Sequence, residues 1–109
     1  MLWNKAIGAG SATPADRGVF GGGSAGGASA VMDYITIATA ENATTFGNLT
    51  VARSALAGVS SNTRGVFGGG TTGSYSTVMD YITIATTSNA TSFGNLPVAR
   101  NALAGVSGQ

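Results

Sequence analysis

One run of residues is written twice in this chain. Arg17-Gly18-Val19-Phe20-Gly21-Gly22-Gly23 returns as Arg64-Gly65-Val66-Phe67-Gly68-Gly69-Gly70, and the same offset of 47 residues relates 31–39 to 78–86 and 55–60 to 102–107. Superposing 17–62 on 64–109 leaves twelve differences in 46 positions, five of them within 24–30, directly after the glycine triplet. Units this alike, diverging mainly in one loop, share one fold. The chain therefore divides into a divergent leading segment, 1–16, and two repeats, 17–63 and 64–109.

Each unit reads as four short strands between breakers. The stretch 55–60, repeated at 102–107, is small and apolar and suits a crowded inner strand where backbones approach closely. Residues 64–70, matched by 17–23, give a second strand ending in glycine. After a variable Gly/Ser-rich loop, 78–86 is rich in β-branched and aromatic residues and reads as a strand covered on both faces. The fourth, 91–96, is short and outer, with Pro97 tolerable at its end because an outer strand is an edge. Four antiparallel strands repeating at a period near 50 predict an all-β fold, a β-propeller with four-stranded blades. Such units cannot bury both faces alone, and roughly three or more are needed for stability. Two are present, so the reading is a ring completed by further copies of the chain.

At the N-terminus, 6–11 aligns with 55–60 and gives one inner strand more than two blades require. Because 102–107 keeps the repeat sequence better, it is the candidate to complete the first blade of a neighbouring copy.

Composition excludes several functions. Charged residues are 8% of the chain and the formal net charge is +1, so there is no electrostatic footprint for nucleic acid or an acidic membrane. Cys and His are both absent, which removes disulfides, thiol nucleophiles, imidazole- or thiolate-held metals and the commonest general base. No cofactor or metal is expected. The opening residues are too glycine-broken for a signal segment and no stretch reaches the roughly 20 apolar residues of a membrane span. The expectation is a soluble chain.

The residues also resemble a family. A double glycine closing the second strand, a Tyr about a dozen residues on, an aromatic near the fourth strand, and Leu and Arg leading into a small apolar strand are similar to the kelch repeat. They stand here as Gly22-Gly23, Tyr34, Phe46, Leu49 and Arg53, and again as Gly69-Gly70, Tyr81, Phe93, Leu96-Pro97 and Arg100. Phe46 and Phe93 stand where kelch units place Trp. The resemblance covers nearly all of 17–109 and implies a propeller commonly closing at six or seven blades. A looser similarity to tandem propeller repeats of bacteriophage-type structural proteins implies a virion-associated or scaffold source.

Residues 21–26 and 68–73 fit G-x-G-x-x-G, but no helix follows to hold a pyrophosphate, so the glycines read as a tight strand exit with positive φ. Six of the nine charges recur at the repeat offset: Arg17 and Arg64, Asp33 and Asp80, Arg53 and Arg100. Repeat-symmetric charges fix blade geometry more readily than they catalyse, with an Asp meeting an Arg across a blade boundary. Asp33 and Asp80 in equivalent places should stand a blade spacing of ~10 Å or more apart, too far for a close carboxylate pair. Phe20, Phe67, Tyr34 and Tyr81 are expected to pack between blades. Asn42, Asn48 and Asn89 begin formal glycosylation sequons, read here as turns.

The reading is a non-enzymatic, self-assembling structural protein, a two-blade protomer closing into a six-bladed homotrimer, with an eight-bladed tetramer second. The alternative is a lectin-like or protein-binding propeller using the rim loops 24–30 and 71–77, in which Tyr75 contacts a carbohydrate or protein ligand.

Overall fold

The computed structural model describes residues 16–108. Seven strands form two antiparallel sheets, with no α-helix among the described residues. The first sheet is β1 (Arg17–Gly21), β2 (Ser29–Thr36) and β3 (Thr44–Arg53), in that order. The second is β4 (Ala57–Ser60), β5 (Arg64–Gly68), β6 (Ser76–Thr83) and β7 (Thr91–Arg100). Within each sheet the strands follow one another as a meander, the arrangement that short polar turns between β-branched runs favour, and the β3–β4 connection passes from the first sheet to the second.

The repeat is reproduced residue for residue in the registers. Arg17 pairs with Thr36 and Phe20 with Asp33, as Arg64 pairs with Thr83 and Phe67 with Asp80. The glycines leaving β1 and β5 take left-handed backbone, with φ of +71° and +103° at Gly22 and Gly23 and +71° and +100° at Gly69 and Gly70. A Cβ in these conformations would be strained. The turn they make is closed by Gly22 N–H donating to Val31 O and Gly69 N–H to Val78 O, both at 2.9 Å.

The outer strands are longer than the sequence predicts. β7 runs through Pro97 to Arg100 because its ladder is irregular there: Val78 faces Asn95 while Ser76 faces Arg100, leaving the intervening residues of β7 bulged. Pro97 lies inside this bulge on an edge strand, where its missing N–H removes no ladder bond. β6 likewise begins and ends earlier than expected, closing with Thr86 N–H on Thr83 O.

Of two further expected inner strands, one lies outside the described residues and the other differs. The stretch 6–11 lies outside the described residues, so the first sheet is described by three strands. The stretch 102–107 is not a strand in the single chain but runs beside β4, with Ala102 N–H donating to Ala55 O at 2.7 Å and Ser60 N–H to Ser107 Oγ at 3.0 Å. No helix among the described residues is long and apolar enough to cross a membrane.

Candidate assembly interface

The two sheets meet through unlike faces. Side chains alternate along a strand, so β2 sends Ala30, Met32 and Tyr34 to one side and Val31, Asp33 and Ile35 to the other. The first sheet buries the Met32 side, with Phe46 and Leu49 of β3, and the second buries the opposite side of its equivalent strand, Asp80 and Ile82, with Ile84 beyond it. Met32, Phe46, Leu49, Ile82, Ile84 and Ala90 make one apolar cluster across the joint. We call the first surface the Arg face, because Arg53 leaves from it, and the second the Asp face, because Asp80 lies in it.

Polar groups set the joint's register. Arg53 is wholly buried and pairs with the equally buried Asp80. Its other terminal nitrogen donates to Gly69 O at 2.9 Å and Val78 O at 2.7 Å. Asp80 also accepts from Thr50, through the hydroxyl and the backbone N–H. A buried charge with this many partners is held, whereas removing one partner strands the other. Burial lowers the Arg53 guanidinium below its ordinary range, and the Asp80 carboxylate pulls against that shift. Among the described residues, Arg53 Nε is the one buried side-chain polar atom without a partner.

Further bonds run along the same seam. Arg17 donates to Ile84 O at 3.1 Å, Asn48 N–H to Asn89 Oδ1 at 3.1 Å, and Ala90 N–H to Asn48 O at 2.9 Å. Ser54 and Thr71 exchange backbone bonds. At Gly21 the sheets come so close that a Cβ would lie 2.9 Å from Phe67 Cζ. Asn48 is thus part of a strand and a cross-sheet contact, not the turn the sequence suggests.

Each sheet also carries the other's face, open. The second sheet's Arg face bears Met79, Tyr81, Phe93 and Arg100; Phe46 is 3% exposed, its counterpart Phe93 49%. The first sheet's Asp face bears Phe20, Asp33, Ile35 and Ile37; Ile84 is 8% exposed, its counterpart Ile37 63%. Local geometry is unaffected by this difference. Tyr34 meets Phe46 and Tyr81 meets Phe93 edge to face, both with ring centroids 6.0 Å apart, and Arg17 and Arg64 lie over Tyr34 and Tyr81 at 4.0 and 4.3 Å. The repeats are therefore the same object, one end covered and one end bare.

The expected site residues accordingly fall into two sets. Phe67, Tyr34, Phe46, Arg53 and Asp80 come together at the joint. Phe20, expected between sheets, is 63% exposed in the single chain because nothing among the described residues covers the Asp face of the first sheet. Tyr81, Phe93, Arg100 and Asp33 lie on the two open faces, and Tyr75 is exposed in the loop that Thr71 and Tyr75 close by a backbone bridge. Asn48 and Asn89 stand out in the sequence only as sequon residues read as turns, and their part in the joint is not foreseen; Thr50 sits at one of the twelve repeat differences, which is the only signal it leaves of its bond to Asp80.

No protein-family model matches the chain. A search of curated proteins found no match either.

Proposed function

We propose that the protein is a non-enzymatic structural element that assembles with copies of itself, head to tail, into a closed β-propeller whose blades are the sheets described above. One observation carries this reading: the Arg face and the Asp face are complementary, they are joined once inside the chain, and one of each remains open at opposite ends. An interface between unlike patches of identical units propagates until rotation brings the ends together. Phe93 on one open face and Phe20 and Ile37 on the other are large apolar side chains left in water by the single chain, and joining the two faces covers them.

The same displacement of 47 residues supplies the intermolecular register. Ala57–Ser60 pairs with Gly65–Gly68 within the chain, so 104–107 pairs with 18–21 of the next copy and adds the fourth, innermost strand to its first blade. Asn101 then meets the next copy's Ser24 as Ser54 meets Thr71. Val106, 91% exposed in the single chain, is covered by this pairing.

Two blades per chain allow only even totals within the roughly four to eight blades of known propellers. The resemblance to kelch units favours six, hence three chains. Native mass spectrometry should return three times the 10.6 kDa chain mass. A tetramer would revise the blade number, and a folded monomer at all concentrations would overturn the reading.

A further inference from the structure

The Asp face of the first sheet contains an open depression of about 300 Å³, lined by Phe20, Gly22, Ser24, Ser29, Val31 and Asp33. Its counterpart in the second repeat is occupied: Gly69, Val78 and Asp80 stand where Gly22, Val31 and Asp33 stand, and the Arg53 side chain fills the space between them. The acceptors that hold Arg53 are two backbone carbonyls, Gly69 O and Val78 O, and one carboxylate, and the first sheet reproduces all three. Asp33 has no side-chain partner among the described residues, nor does Arg100, the counterpart of Arg53, which is exposed at the other end of the chain.

We propose that this depression is a guanidinium-binding site whose ligand is Arg100 of a second copy, and that it forms the weaker kind of joint in the assembly. The proposal rests on the self-assembly reading and adds the chemistry that locks and releases it. Arg100 donates to Gly22 O, Val31 O and Asp33 of the next copy, as Arg53 does internally. The difference is at one residue. Asp80 accepts two further hydrogen bonds from Thr50, whereas the residue that would reach Asp33 is Pro97. Proline has no N–H and its ring has no hydroxyl, so Asp33 receives the guanidinium alone. Hydrogen bonds to a charged acceptor are the strong ones, and losing two of them weakens the joint by a large factor. Chains therefore part at the Asp33–Arg100 joint while the Asp80–Arg53 joint stays closed.

Subunit exchange tests this. Isotope-labelled and unlabelled assemblies are mixed and the appearance of mixed species is followed by native mass spectrometry. Pro97→Thr restores the residue found at position 50 and should slow exchange at least about tenfold. Arg100→Met and Asp33→Asn should each speed exchange at least about tenfold or give protomers, and the double variant should be no worse than the more severe single one, since both remove the same pair. Among the described residues the Arg100 and Asp33 side chains have no partner, so far-UV circular dichroism of these variants should match wild type. Assembly of the wild type with Pro97→Thr exchanging at the wild-type rate, or with the two losses adding in full, would overturn this proposal and leave the self-assembly reading standing. A wild type that never assembles would overturn the self-assembly reading itself.

Discussion

Single glycines report which joint they belong to. Gly21 lies under the Phe67 ring, and a methyl group there would be 2.9 Å from Cζ and 3.3 Å from Met32 Cγ, so the aromatic must move out of a packed seam. Gly21→Ala is expected to destabilise the protomer by about 1–3 kcal/mol, read from the denaturation midpoint. Gly68 occupies the same place in the second repeat, but there an added Cβ meets only Met79, at 3.3 Å from Cγ. Gly68→Ala should leave the denaturation of dilute protomer nearly unchanged and weaken assembly, because the proposed assembly brings a second copy's Phe20 to that glycine. Equal effects of the two substitutions on dilute protomer would show that Gly68 is not an assembly contact.

Strands and their order were readable because the period, the β-branched runs and the glycine triplets agree with one another. Tyr81, Ile82 and Ile84 marked the central strand of the second sheet, and Gly69 and Gly70 marked its entry. What was not readable depends on contacts across the joint. Nothing in Phe20 distinguishes it from Phe67, since one sentence of sequence encodes both; only the position of the repeat in the chain leaves the first exposed and seats the second on Gly21. The bulge that carries Pro97 within β7 was invisible for another reason: Pro is a breaker by local rule, and its tolerance here comes from three extra residues of slack between the Asn95 and Arg100 pairings. The C-terminal stretch shows the same limit, having a strand's sequence without a strand's partner. Deleting 102–109 should therefore cost the single chain little beyond its bonds to Ala55 and Ser60, and abolish assembly in sedimentation velocity. A truncated chain that still forms the full assembly would show that the inner strand of the first blade comes from elsewhere.

At the scale of the molecule, a chain 46 × 30 × 20 Å in extent holds one internal joint and leaves one face of each kind open. Anything that binds the folded state alone stabilises it by mass action, and in the proposed assembly that partner is a second copy of the chain. The melting temperature should accordingly rise with protein concentration, and a constant value over two or more decades would contradict a joint that forms between chains. The three-stranded first sheet has a further consequence in hydrogen exchange. β1 and β5 are written in the same five letters, yet β5 is flanked on both sides and β1, among the described residues, on one. Amides of identical sequence should then exchange at two different rates in dilute protein, those of β1 through fraying of an edge and those of β5 through opening of a sheet interior. As concentration rises the two rates should converge, so that a pair of matched peptides within one chain serves as its own internal clock for assembly.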